Sequence, residues 1–119
     1  MKDIKTLVID DYVAFYKYFI EYLEFFNFNV THAEDYIDAL DRINTSNYDL
    51  IFLDVGIATA GNRPYLLTDK IREMKPNTLL IGMSAFTMRE SEKHFDELLN
   101  KLRLTDTLFE ILLKYGFEI

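Results

Sequence analysis

Five polar positions, spread over most of the 119-residue chain, have the side-chain types of a phosphoryl-transfer site. They are Asp10, Asp11, Asp54, Ser84 and Lys101. The carboxylates could bind a hard divalent cation such as Mg²⁺, which keeps several waters and therefore needs few protein ligands. A carboxylate can also be a nucleophile that takes a phosphoryl group, and a hydroxyl and an ammonium can bind phosphoryl oxygens. The set therefore suggests a divalent metal together with a phosphate.

Short apolar runs precede three of these positions. Residues 7–9 come before Asp10, residues 50–53 before Asp54, and residues 79–81 before Ser84. Such runs are typical of buried parallel strands, and an open parallel sheet binds ligands just outside the carboxyl ends of its strands. We therefore expect residues that are far apart in the sequence to meet at one edge of a sheet.

Each position also has a purely structural explanation. Asp11 and Asp54 could cap a helix or a turn, and a serine at a strand end is usually a turn residue. A single lysine is far more often a solvated surface residue. The functional interpretation therefore depends on all five residues occurring at successive strand ends of one sheet.

The hydrophobic pattern predicts five strands that alternate with five helices. The strands are expected at 5–9, 28–31, 50–53, 79–83 and 98–100, and the helices at about 13–26, 35–44, 65–74, 89–95 and 105–115. A loop is expected over residues 56–64. This alternation is typical of an α/β fold, a three-layer (βα)5 sandwich with right-handed crossovers. The flavodoxin-like parallel sheet order 2-1-3-4-5 suits this number of units, and we expect residues 1–119 to form a single domain.

Composition limits the classes of partner. The formal net charge of −7 argues against binding a nucleic-acid backbone through bulk charge. The absence of cysteine excludes disulfides and thiolate metal sites. No signal-peptide pattern is visible, and no stretch approaches the roughly 18 apolar residues of a membrane span. We therefore expect a cytoplasmic protein that has neither a nucleic-acid nor a membrane partner.

The segments 8–11, 48–54 and 84–85 resemble the receiver domains of bacterial two-component response regulators. The resemblance covers nearly the whole chain. It implies that Asp54 accepts a phosphoryl group from a histidine kinase or a histidine phosphotransferase, and that Ser84 and Lys101 contact this group. It also implies a Mg²⁺ cofactor, bound directly by Asp11, largely through water by Asp10, and by Asp54 and the backbone carbonyl of Gly56.

The resemblance predicts a stand-alone receiver, a switch or phosphate shuttle that signals through a downstream protein. The resemblance implies that the protein is not an enzyme, beyond weak self-catalysed phosphorylation and autodephosphorylation. One alternative is a pseudo-receiver that binds partners without phosphorylation. Another is a Mg²⁺-dependent phosphatase with an aspartate nucleophile, but the Asp10-Asp11-Tyr12 segment lacks the Asp-x-Asp spacing of such enzymes and the chain leaves no room for a cap.

Three features depart from the receiver pattern. The loop after Asp54 is longer than usual, with its proline displaced to Pro64. The interval from Ser84 to Lys101 is several residues shorter, which predicts a shortened helix 4. Leu98 stands where receivers usually have an aromatic switch residue. We therefore expect the chemistry to be retained while its coupling to the output is altered.

The first predicted helix has a broad aromatic arc. The residues that we expect in the core are Phe15, Phe19, Leu23 and Phe26. Two interpretations stay open for Tyr18, Tyr22 and Phe25: a bulky core, or a partner or homodimer surface, because aromatic residues are enriched at interfaces.

The chain has two histidines, His32 and His94. We expect both at surface or loop positions away from the predicted site. Nothing in the sequence around them suggests a phosphohistidine.

Overall fold

The computed structural model describes residues 3–86 and 89–117, which contain a five-stranded parallel sheet in the order β2-β1-β3-β4-β5. The strands are β1 (Ile4–Ile9), β2 (Phe28–Ala33), β3 (Leu50–Asp54), β4 (Leu79–Ser84) and β5 (Glu97–Asn100). The predicted fold class, a three-layer (βα)5 sandwich with this strand order, is confirmed. β2 continues two residues beyond its predicted end, because Ile9 of β1 pairs with Ala33.

Side chains that alternate along the central strands form two separate cores. The helices that cover the sheet are α1 (Val13–Phe25), α2 (Tyr36–Thr45), α3 (Val55–Thr59), α4 (Leu66–Met74) and α5 (Leu104–Lys114). Val8 and Phe52 contribute to one core, with α1 and α5. Leu7 and Leu53 contribute to the other, with α2, α3 and α4. Because successive side chains of a strand point to opposite faces, a continuous apolar run supplies both cores.

The loop that the sequence predicted over residues 56–64 is partly helical, so that prediction is wrong at its start. α3 occupies Val55–Thr59, and the Asp54 side chain caps it by accepting a hydrogen bond from the Ile57 amide at 3.1 Å. Val55 and Ala58 are buried. The capping carboxylate and these two apolar residues explain why one helical turn forms here although it contains Gly56.

The helix that the sequence predicted at residues 89–95, and predicted to be shortened, is a 3₁₀-helix of six residues, Arg89–His94. The β4 strand beside it is covered by Phe95 and Leu98, which pack over Gly82. A Cβ atom at Gly82 would lie 2.8 Å from Leu98 Cδ2 and 2.9 Å from the Phe95 ring. Glycine is required here because these two side chains fill the space that the Cβ atom of any other residue would occupy.

One tyrosine at the start of α4 holds the 3₁₀-helix Arg89–His94. The Tyr65 ring stacks on His94 with 3.6 Å between the ring centroids, and its hydroxyl is 2.7 Å from Ser91 Oγ. The Tyr65 amide donates to the carbonyl of Ala58 in α3 at 2.7 Å. Tyr65 therefore links α3, the start of α4 and the 3₁₀-helix.

Candidate functional site

Asp10 follows the last residue of β1 and its side chain is fully buried. Its Oδ1 accepts a hydrogen bond from the Tyr12 amide at 2.8 Å. Its Oδ2 lies 2.7 Å from the ammonium of Lys101. The contact with Lys101 lacks the angles of a hydrogen bond, so within the described residues Oδ2 accepts none.

Lys101 connects Asp10 to Asp54, which ends β3. Its Nζ donates a hydrogen bond to Asp54 Oδ1 at 2.7 Å, and its side chain is only 12% exposed. Nζ also lies 4.5 Å from the centre of the Phe15 ring, within range of a cation–π interaction. We call Asp10, Asp54 and Lys101 the carboxylate–lysine cluster.

Burial and charge act in opposite directions in the carboxylate–lysine cluster. Burial raises the pKa of Asp10, and the neighbouring Lys101 ammonium only partly offsets this. Burial lowers the pKa of Lys101, but its short contacts and charge interactions with the two carboxylates outweigh burial, so the net shift of that pKa is upward. Lys101 is therefore a cation at neutral pH.

Ser84 and Gly56 lie on the same pocket as Asp54 and Lys101, a cleft of about 390 Å³. Ser84 Oγ accepts a hydrogen bond from the Phe86 amide at 3.1 Å. A Cβ atom at Gly56 would lie 2.8 Å from Asp54 Oδ2, so glycine keeps the space beside this carboxylate open. The exposed residues around the cleft are apolar or aromatic: Tyr12, Phe86 and Leu102.

Asp11 lies apart from this arrangement. It is exposed and does not line the cleft. In residues 3–86 and 89–117, no three His, Cys, Asp or Glu side chains are grouped so as to hold a metal ion. The structure thus brings together Asp10, Asp54 and Lys101, with Ser84 and Gly56 beside them, but not Asp11.

The donor set nevertheless fits a hard cation. Carboxylate and carbonyl oxygens are the ligands that Mg²⁺ takes in proteins, with waters completing its shell. Asp10 Oδ2 is buried and, among the described residues, accepts no hydrogen bond, so it has a free acceptor position. A cation that enters here would meet the carboxylates of Asp10 and Asp54 in place of the Lys101 ammonium.

Two residues of this site were not predicted from the sequence. His32 Nε2 is 2.8 Å from the backbone carbonyl of Asp10, so the expectation that His32 lies away from the site is wrong. Phe15 packs against the core as predicted, but it is only half-buried and its ring also lies beneath Lys101, which was not predicted. The predicted strand order could have indicated the contact between His32 and Asp10, because it places β2 beside β1. In the structure His32 pairs with Val8, two residues before Asp10.

The strand order, together with two carboxylates and a lysine at the carboxyl edge of the sheet, defines a flavodoxin-like α/β protein with a candidate phosphoryl site. The sequence matches the profile of the response regulator receiver domain over residues 6–108. The chain therefore belongs to the receiver domain family of two-component response regulators. No curated protein sequence matches the chain.

Similar solved structures are receiver domains as well. A CheY-like receiver domain from Methylobacillus flagellatus is 26% identical, with 95% of this chain and 98% of that chain covered and a TM-score of 0.78. The response regulator TrrA from Thermotoga maritima, solved with Mg²⁺ and BeF, is also 26% identical, with coverages of 93% and 97% and a TM-score of 0.80. A response regulator from Burkholderia pseudomallei with a phosphorylated aspartate and a calcium ion shares the fold at 19% identity, with coverages of 98% and 78% and a TM-score of 0.72.

The helices within the described ranges are all too short or too polar to cross a membrane.

Proposed function

We propose that the chain forms a single receiver domain that accepts a phosphoryl group on Asp54 in a Mg²⁺-dependent reaction. The donor is a histidine kinase or a histidine phosphotransferase, and the signal passes to a downstream protein through direct contacts. One observation carries this proposal: Lys101 Nζ lies 2.7 Å from both Asp10 and Asp54, beside a cleft that also contains Ser84.

The reaction assigned to this site is an in-line phosphoryl transfer. An oxygen of the Asp54 carboxylate bonds to phosphorus while the P–N bond of the phosphohistidine donor breaks, and the donor imidazole leaves with the electron pair of that bond. Lys101 already contacts Asp54, so its ammonium is placed to neutralise the phosphoryl oxygens. The Ser84 hydroxyl lines the same cleft and could donate to one of them.

We propose Asp10, Asp11, Asp54 and the carbonyl of Gly56 as the protein ligands of Mg²⁺. When bound, the cation would neutralise part of the charge on the transferring group. Asp10 contributes a buried carboxylate that accepts a hydrogen bond from the Tyr12 amide, and Asp54 contributes the carboxylate that Gly56 leaves accessible. For Asp11 to contribute, its exposed side chain must turn toward the other carboxylates, because the three are not grouped among the residues that the structure describes.

The experiment that tests the proposal measures phosphoryl incorporation directly. The protein is incubated with acetyl phosphate and Mg²⁺, and its intact mass is recorded beside that of Asp54→Asn. Asp49→Asn is the matched control, because Asp49 lies at the opposite end of β3 and bonds the Lys5 amide. We expect one added phosphoryl group in the wild type and the control, and none in Asp54→Asn or without Mg²⁺. An unmodified wild type would contradict the proposal.

A pseudo-receiver is the second candidate, and the position of Asp11 favours it. A receiver that has lost its metal site could keep the fold while Asp11 stays exposed at the start of α1. Titration with Mg²⁺ separates the two candidates, since a pseudo-receiver need not bind the ion at millimolar concentration.

For partner binding, we propose the outer face of α1 as a homodimer surface. Phe25 and Tyr18 lie on the same helix and are 79% and 53% exposed, so two aromatic side chains are available to a partner. Tyr22 contributes less, because it packs against Phe26 and Phe109 of its own chain. Sedimentation of wild type and Phe25→Ser tests this proposal: equal monomer mass for both at high concentration would contradict it.

A further inference from the structure

We propose that His32 is a positioning residue for Asp10, and through Asp10 for the bound cation. His32 is half-buried near the carboxyl end of β2, one strand away from the carboxylate–lysine cluster. The inference rests on the proposed function, because it assigns a role toward the same Mg²⁺ site.

The end of β2 holds both backbone groups of Asp10. The Asp10 amide donates to the carbonyl of Ala33 at 3.1 Å, and the Asp10 carbonyl lies 2.8 Å from His32 Nε2. A carbonyl oxygen can only accept a hydrogen bond, so Nε2 must be the protonated nitrogen and the donor. Asp10 is thus fixed from β2 although it lies one residue beyond the end of β1.

The His32 ring is itself held in place. Tyr16 of α1 stacks on it with 3.9 Å between the ring centroids and 24° between the ring planes. Stacking restricts rotation of the imidazole and keeps Nε2 directed at the Asp10 carbonyl. The contact also connects α1, which begins three residues after Asp10, to the strand that fixes this residue.

A fixed position matters more for the Asp10 carboxylate than it would for an exposed metal ligand. Its carboxylate is fully buried between the Tyr12 amide and the Lys101 ammonium, so it has little freedom to adjust to an incoming cation. Residues that orient a metal ligand from behind affect metal affinity about 10-fold to 100-fold when they are removed. His32 acts on Asp10 in this way, and it acts through the backbone.

Two substitutions separate the hydrogen bond of His32 from its ring. His32→Phe keeps a ring to stack on Tyr16 and removes the donor, whereas His32→Gln loses the ring and supplies an amide donor of similar reach. His94→Phe is the matched control, because His94 also stacks on a tyrosine, Tyr65, in another part of the fold. The readouts are the Mg²⁺ dissociation constant by calorimetry and the exchange rate of the Tyr12 amide, which is bonded to Asp10 Oδ1.

We expect His32→Phe to weaken Mg²⁺ binding about 10-fold and to speed exchange of the Tyr12 amide. His32→Gln should restore most of the Mg²⁺ affinity and most of the protection of the Tyr12 amide. His94→Phe should change neither the affinity nor the exchange rate. At saturating Mg²⁺, the phosphorylation rate of His32→Phe should approach that of the wild type, because the substitution affects the placement of a ligand and leaves the nucleophile intact.

The proposal is overturned if His32→Phe matches the wild type in both readouts, or if His32→Gln is impaired as much as His32→Phe. The second result would show that a hydrogen-bond donor at this position does not restore the placement of Asp10, so the hydrogen bond is not what positions it. If the wild type binds no Mg²⁺, the proposed function fails. The Tyr12 exchange rates then still decide whether His32 positions Asp10, because that measurement needs neither the ion nor a phosphodonor.

Discussion

Two regions of the molecule depart from the family pattern to very different extents. At the carboxyl edge of β1 and β3, Lys101 contacts Asp10 and Asp54 at 2.7 Å, as the proposed phosphoryl site requires. Beside β4 and β5, a six-residue 3₁₀-helix replaces an ordinary helix, and apolar and aromatic contacts hold it in place. The first region therefore depends on charge and the second on packing.

The largest effect is expected from Lys101→Met, which removes the cation from the first region. Asp10 would remain as a buried carboxylate without its partner, and breaking such a pair costs about 3–5 kcal/mol of unfolding free energy. The folded-state pKa of Asp10, already raised by burial, would rise further. The destabilisation is therefore present above that pKa and shrinks as the pH falls through it, which urea unfolding at several pH values measures.

Lys114→Met is the control for Lys101→Met. Lys114 pairs with Glu97 at the surface, where its side chain is 62% exposed, and exposed pairs contribute little to stability. We expect no measurable change in unfolding. Equal effects of the two substitutions would show that the carboxylate–lysine cluster does not depend on buried charge.

Gly82→Ala tests the packing of the second region. The new methyl group would overlap the Leu98 and Phe95 side chains, and overpacking of this kind costs about 1–3 kcal/mol. Phosphorylation by acetyl phosphate should persist, because the added methyl group would meet Leu98 and Phe95 and not the side chains of the carboxylate–lysine cluster. Unfolding and intact mass are the two measurements.

Leu98→Ala provides the check on Gly82→Ala. Truncation of Leu98 opens space beside the added methyl, so the double variant should be more stable than the sum of the two single effects predicts. Simple additivity would contradict the contact between these positions. Loss of phosphorylation in Gly82→Ala would show that the two regions are coupled after all.

Tyr65→Phe is expected to have a smaller effect. It keeps the ring that stacks on His94 and removes the hydroxyl that bonds Ser91, a contribution of about 1 kcal/mol. Ser91 is fully buried, so its hydroxyl loses its partner. A double-mutant cycle with Ser91→Ala, read by chemical unfolding, should give a favourable coupling energy, and a coupling energy of zero would contradict the hydrogen bond.

In both regions, the sequence predicted the residues that lie directly after a strand. Apolar runs before Asp10 and Asp54 located both carboxylates, and the strand order brought them together. α3 was missed, although Asp54 was considered as a possible cap, because Gly56 and Gly61 are typical of a loop. His32 was missed because the second strand was predicted to end at residue 31, one residue before it, so His32 was expected at a surface or loop position.

The smallest effect concerns the alkaline stability of the first region. The two carboxylates raise the pKa of Lys101 above its ordinary value, although burial of the ammonium opposes them and keeps the net effect small. The protonated lysine therefore stabilises the fold fully below its unfolded-state pKa of about 10.4, and this stabilisation is lost as the pH rises through the folded-state pKa. The eight tyrosines of the chain titrate in the same range, so the measurement is the difference between wild type and Lys101→Met in unfolding free energy against pH. That difference should decrease above the unfolded-state pKa. A constant difference would mean that the charge of Lys101 contributes nothing to stability, and that the first region, like the second, is held by packing.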